Sequence, residues 1–386
     1  MNRRQFSQTL TLGAIAAAPA LGAPALSPRK EWARENLKGM GNVIMPSFSP
    51  DFKKLDEDAI RLDVKQSIKH GFTACVISPV GADAARRRRM MEIVSDEARG
   101  KLETGIIAGG SAESAIQSLA EAARMGCSHA LLTYPATANP NSEDEVYAHF
   151  RKIIDSARMA ILLYGSPVES LKRFHPSGIP LNVYDRLADD SKVVGMKLTH
   201  PMSTATAFEI CERLSDRLIM APVNLELLPV LAKNYKNVQW SGQWIVEAVQ
   251  SPEKPYAVEL MDLAIKRQIE GAMKVYWQMQ PLIQAIYNLQ APLLLHGSHP
   301  WAHMKYHQWC TGGNGGLLPL KPGPYLPQLD APARKLIRDT YTNAGITPAA
   351  GPEEEFMVGR SAYQRGVRPA ALSETPLYSR DAVGRA

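Results

Sequence analysis

Two polar side chains interrupt otherwise apolar runs where they would be able to do chemistry. Lys197 lies in VVGMKL (Val193 to Leu198), and Tyr164 closes ILLY (Ile161 to Tyr164). An ammonium group is costly to bury among Val, Gly, Met and Leu, so burial favours the neutral amine that adds to a carbonyl carbon. A phenol next to it would give and take the protons that carbinolamine formation needs. The pair points to a carbonyl substrate. The same residues also describe a lysine that snorkels to solvent and a half-buried aromatic whose hydroxyl is satisfied.

Short apolar runs must place these two side chains. Asn42–Met45, Ala74–Ile77, Gly105–Ala108, Ala130–Tyr134, Ala160–Tyr164, Val193–Leu198, Leu218–Ala221 and Val238–Ser241 read as strands. Between them lie helical segments: Ile60, Val64 and Ile68 repeat every four residues after a capping Asp56, and Ser111 and Ser142 open two more. Strands alternating with helices imply parallel pairing through right-handed crossovers, so an α/β fold of the (β/α)8 TIM barrel type over residues 38–250 is expected. An open doubly wound sheet is the alternative, but its Gly-x-Gly-x-x-Gly fingerprint is absent after the first strand. A C-terminal helical region follows over 251–346, and from Thr347 to Ala386 the loss of periodicity reads as an extended tail that wraps a neighbour or stays loose. In such a barrel, reacting groups project from the C-terminal ends of strands, where Tyr164 and Lys197 both fall.

The order of these elements from about Gly41 to Gly345 resembles the dihydrodipicolinate synthase and N-acetylneuraminate lyase superfamily. The resemblance rests on Met45-Pro46-Ser47-Phe48, on Ile106 to Pro135, on Ser142 to Pro167 around Tyr164, and on VVGMKLTH (Val193 to His200) with its Gly-x-Lys. His299-Pro300 through Lys305 and Leu318-Pro319 are later matches. It implies a class I aldolase in which Lys197 forms a Schiff base and Tyr164 is its acid/base partner. It also implies a small-molecule carbonyl substrate and a homo-oligomer, dimer or tetramer. No cofactor and no metal are called for.

Departures from the family pattern bear on the substrate. The loop that in the family reads Gly-Ser/Thr-Thr-Gly-Glu is here Ser78-Pro79-Val80-Gly81-Ala82-Asp83. Pro79 has no N–H and Val80 no hydroxyl, which leaves the Ser78 hydroxyl and the Val80 and Gly81 amides to bind substrate. The family's Pro-Tyr-Tyr is replaced by Pro135-Ala136-Thr137, so Thr137 is the expected stand-in for the second relay hydroxyl, unless Tyr134 reaches over. An arginine five positions after the catalytic tyrosine is replaced by Glu169, which argues against the lysine-biosynthesis reaction. The hydratase-aldolase branch, acting on aromatic pyruvate adducts, is an alternative, as is an exported barrel that only binds.

The remaining features narrow the setting. Residues 1–27 begin with Asn2-Arg3-Arg4-Gln5-Phe6, continue through an apolar run from Leu10 to Ala18 and end in small residues, the pattern of a twin-arginine-type signal peptide and a periplasmic protein. No other run is long and apolar enough to span a membrane, so no membrane association is expected once the signal is removed. Lys+Arg 44 against Asp+Glu 38 gives a formal +6, a mild excess that does not call for nucleic acid. Four scattered cysteines make no disulfide scaffold, and Cys75 and Cys127 read as core. Arg86 to Arg89 read as a solvated helix start, with substrate steering or a subunit contact as alternatives. His299, His303 and His307 recur every four residues but span roughly 12 Å of helix, too far for one ion, and read as a polar face near the barrel mouth. Gly312 to Gly316 reads as a flexible connection and Glu353 to Glu355 as solvated tail.

Overall fold

A computed structural model describes residues 27–199, 203–320 and 323–373. Except for Ser27, the signal-peptide segment lies outside the described residues, as do His200 and the end of the tail. Eight strands, β1 Gly39–Ile44, β2 Ala74–Ile77, β3 Glu103–Ala108, β4 His129–Leu132, β5 Ala160–Gly165, β6 Val193–Leu198, β7 Ile219–Pro222 and β8 Trp240–Gly242, pair in the order β7-β6-β5-β4-β3-β2-β1-β8. All the strand pairs are parallel, and a further bridge between Met220 and Val238 brings β7 against the chain entering β8. The expected (β/α)8 barrel is what forms.

Local signals set the crossovers. Helix Glu57–Lys69 starts where the Asp56 carboxylate accepts the Ala59 N–H at 3.2 Å, and its buried face carries Ile60 and Val64. Ser111, Ser142 and Ser203 cap the helices Ala112–Arg124, Glu143–Ser156 and Thr204–Leu214 in the same way. β1 starts earlier than its apolar run because Gly39 and Gly41 belong to it. A Cβ on Gly41 would lie 2.8 Å from the Ala74 carbonyl oxygen, so the β1–β2 approach requires glycine there.

Strand alternation divides the core in two. Ala74, Val76, Leu131, Ala160, Leu162, Val194, Ile219, Ala221 and Trp240 fill the barrel's interior, while Ile77, Ile106, Leu132, Leu163, Met196 and Leu198 face the helices. The interior is closed from below by a helix the apolar pattern did not announce, Pro28–Asn36, whose Ala33 and the following Leu37 are fully buried against that inner cluster.

After β8 the chain turns helical, with the long helix Ile269–His296, then Trp301–Cys310 and Ala331–Asn343. The stretch from Thr347 departs from the extended tail read in the sequence. It forms helices Glu353–Val358 and Arg360–Gln364 and buries Phe356 completely against Tyr306 and Trp309. Three glutamates hid this anchor, but Glu353 and Glu355 are paired to Arg338 and Arg360. All four cysteines are free and buried.

Candidate active site

On β5 the side chains alternate strictly: Ala160 and Leu162 point inward, Ile161 and Leu163 outward, and Tyr164 again inward. β6 does not alternate. Ile161 pairs with Val193 but Leu162 pairs with Gly195, so β6 holds one extra residue at that step. Val194 and Gly195 both face the interior, and the parity of everything beyond them is reversed. Lys197, which plain alternation from Val194 would send to the helix layer, therefore comes level with Tyr164 on the inner face. Its side chain is 6% exposed and its Nζ lies 5.0 Å from the centroid of the Tyr164 ring. The Tyr184 hydroxyl donates to the Tyr164 carbonyl oxygen at 3.0 Å and fixes the end of β5.

The space above this pair is lined from the other strands. Ile107, inward on β3 between Gly105 and Gly109, is 46% exposed although its strand neighbours in the outer core are buried. Val43, Ser78 and Thr133 are half-buried around the same mouth. His299, which precedes helix Trp301–Cys310, stacks on Trp301 at 4.7 Å. Its pKa is lowered, mainly by desolvation and further by the charge of Lys197, so a neutral imidazole borders the site.

The loop after β2 is only partly able to do what its sequence promised. The Val80 N–H donates to the Ser78 carbonyl oxygen at 2.8 Å and is thereby occupied, which leaves the Ser78 hydroxyl and the Gly81 amide as donors. Gly81 sits at φ +71° with Pro319 and Leu320 against it, so the connection after helix Trp301–Cys310 lies on this loop. Thr137 is exposed in the turn beyond β4. Tyr134 points outward, its ring 5.1 Å from His149 and 5.7 Å from Phe150, and does not reach over. Glu169 is exposed and paired with Lys172 at 2.7 Å, so its charge is screened rather than aimed at the site.

The histidine reading needs correcting. His303 and His307 are buried within the helical region, and His307 Nδ1 meets the Tyr341 hydroxyl at 2.8 Å, so only His299 of the three approaches the mouth. Helix Trp301–Cys310 is covered on several sides, which a four-residue repeat does not reveal. Among the described residues no group of three or more His, Cys, Asp or Glu is placed to hold a metal. Lys305 is buried on Asp63 at 3.4 Å and on Ser47 at 3.1 Å, which makes that stretch a structural tie between β1's loop and the C-terminal helices. Arg87 and Arg88 are exposed on helix Ala84–Ala98, and Arg89 pairs with Glu57 and Glu92, as a solvated face would. Among the described residues no helix is long and apolar enough to cross a membrane.

Residues 37–221 match the dihydrodipicolinate synthetase family. The chain is 24% identical over 324 residues to the 4-hydroxy-tetrahydrodipicolinate synthase of Methanopyrus kandleri, covering 82% of this chain and 99% of that one. The corresponding figures for that of Methanothrix thermoacetophila are 26% over 257 residues, 65% and 82%. Among solved structures, a monomeric dihydrodipicolinate synthase variant superposes with a TM-score of 0.65 at 18% identity, covering 81% of this chain and 99% of that one. The N-acetylneuraminate lyase from Fusobacterium nucleatum does so at 0.61 and 14%, covering 79% and 98%. Such low identities speak for the fold, the matches in sequence for descent. Barrel, lysine-tyrosine pair and matched segment agree, and the chain belongs to the dihydrodipicolinate synthetase family of Schiff-base-forming lyases.

Proposed function

We propose that Lys197 forms an imine with a 2-oxo acid and that the enzyme makes or breaks a carbon–carbon bond beside that carbon. The observation that carries this is the placement of the Lys197 amine 5.0 Å from the Tyr164 ring, both turned into the C-terminal mouth of a closed barrel. The Lys197 amine adds to the carbonyl carbon, the phenol passes a proton to the carbonyl oxygen, and loss of water leaves the iminium that stabilises a neighbouring carbanion. The Ser78 hydroxyl and Gly81 amide are the donors left for the carboxylate.

Ile107 and Val43 favour a second reading within this chemistry, a substrate that carries an apolar or aromatic group, as in hydratase-aldolases. The residue pattern of positions 1–27 supports export by the twin-arginine route to the periplasm. Exposed Trp277, Tyr287 and Leu295 on helix Ile269–His296 support a homo-oligomer, dimer or tetramer.

Borohydride added with pyruvate and a panel of larger 2-oxo acids tests the reaction. One of them is expected to add its reduced mass to the peptide containing Lys197 and to leave Lys197→Ala unlabelled. Labelling at another lysine, or none across the panel, would overturn the assignment.

A further inference from the structure

We propose that Tyr184 is a positioning residue for the reaction, its hydroxyl holding the main chain of Tyr164 so that the phenol keeps its place beside Lys197. This rests on the imine reading at Lys197. The Tyr184 hydroxyl donates to the Tyr164 carbonyl oxygen at 3.0 Å, and the ring of that same Tyr164 has its centroid 5.0 Å from the Lys197 Nζ. One hydrogen bond therefore separates Tyr184 from the reacting pair.

β5 needs a support at this point. Its main-chain groups alternate between the two neighbouring strands: the Ala160 N–H donates to the Ser128 carbonyl oxygen on the β4 side, and the Gly165 carbonyl oxygen accepts from the Thr199 N–H on the β6 side. By that alternation the Tyr164 carbonyl faces the β4 side, where strand pairing ends at Leu132 and Leu163. It accepts instead from the Ser166 N–H of the following turn, at 3.0 Å, and from Tyr184. A phenol from the helix layer takes over where the ladder stops.

The donor is itself fixed. Tyr184 is 1% exposed on helix Leu181–Leu187, and its ring meets Phe150 of helix Glu143–Ser156 edge-on at 5.5 Å. The two helices are tied again where Asn182 donates to Glu143 at 3.1 Å and Arg186 to Asp144 at 2.8 Å. Burial pushes the Tyr184 hydroxyl above its ordinary range, so it stays protonated and keeps its donor. Without that hydroxyl the Tyr164 carbonyl still has Ser166, so the fold survives. What is lost is the exact setting of the Tyr164 main chain, and a small shift there moves the phenol against the amine. Proton transfer depends on that setting, whereas the Ser78 and Gly81 donors that hold substrate lie on another loop.

The test uses the full chain with pyruvate, or the 2-oxo acid of the panel that labels Lys197 best, and reads exchange of the protons beside the carbonyl for deuterium. Tyr184→Phe keeps the ring and removes the oxygen; Tyr184→Met replaces it if the phenylalanine variant does not fold. The kcat for exchange is expected to fall about tenfold through misplacement of the phenol, with KM within about twofold of wild type. In a Tyr164→Phe background there is no phenol oxygen left to place, so the same substitution should change kcat by less than about twofold. A purely structural residue would instead lower the melting temperature and exact the same loss in both backgrounds. Wild-type kcat in the Tyr184 variant, a change confined to KM, or an equal loss with and without the Tyr164 hydroxyl overturns the role of Tyr184 alone. Absence of both label and exchange across the panel in the wild-type protein overturns the imine reading and this inference with it.

Discussion

Lys197 and Tyr164 are neighbours across β5 and β6 because Gly195, two residues before the lysine, shares the inner face with Val194. A Cβ on Gly195 would lie 2.5 Å from Ile219 Cγ1 and 3.2 Å from Leu162 Cδ2, so the extra residue fits only without a side chain. Gly195→Ala is expected to cost about 1–3 kcal/mol through overpacking and to lower imine trapping at Lys197 more than tenfold. Shortening Ile219 to Ala in the same chain should recover part of both. Urea unfolding and borohydride labelling of the three proteins decide this, and an alanine variant as stable and as readily labelled as wild type would refute the packing argument.

Tyr164→Phe separates proton transfer from the amine. The phenol contributes through its hydroxyl, so turnover should drop by about 10²- to 10⁴-fold while slow trapping at Lys197 persists. Loss of labelling altogether would mean that Tyr164 shapes the lysine's position rather than its proton traffic.

Much of this site was legible in the residues, and the gaps have physical causes. Lys197 and Tyr164 stand out because each is polar within an apolar strand. The turn of Lys197 into the barrel was hidden, since a bulge reverses parity without changing composition. Val80's amide read as free because a tight turn that consumes an N–H leaves little trace in residue types. Helix Pro28–Asn36 leaves no apolar signature because its mix of basic and acidic residues conceals Ala33, and Leu37 just after it, both buried.

The folded tail yields a sharp stability test. Phe356 meets Tyr306 edge-on at 4.8 Å, and Glu355 accepts from both Trp309 Nε1 and Arg360 Nε. Phe356→Ala should cost about 3–5 kcal/mol, measured by urea unfolding, with labelling at Lys197 unchanged in the folded protein. A loose tail would give a change of under about 0.5 kcal/mol.

The pH dependence of stability should have a maximum near neutrality, set by buried groups outside the site. Burial holds His70, His129 and His303 at about 4 and His307 at about 3, below the ordinary 6.5. Between those values and 6.5 the unfolded chain binds protons the folded one does not, so stability rises with pH over that window. Glu247 runs the other way. Desolvation and then the nearby Asp63 charge push its carboxyl up to about 8 from 4.5, against the opposing Asn42 hydrogen bond and Lys305 charge. From 4.5 to 8 the unfolded chain has lost a proton that folded Glu247 keeps, so stability falls as pH rises. Below 6.5 the four imidazoles outweigh the carboxyls; above it Glu247 acts with a slope of about 1.4 kcal/mol per pH unit at most, and buried Asp63, whose carboxyl desolvation also raises, acts in the same direction. Glu247→Gln keeps the Asn42 contact and cannot ionise. Urea unfolding at pH steps through this range should show the decline above 6.5 in the wild-type protein and a distinctly shallower limb in Glu247→Gln, with the rise below 6.5 steeper in the variant. A variant that declines as the wild type does would locate the titrating group elsewhere.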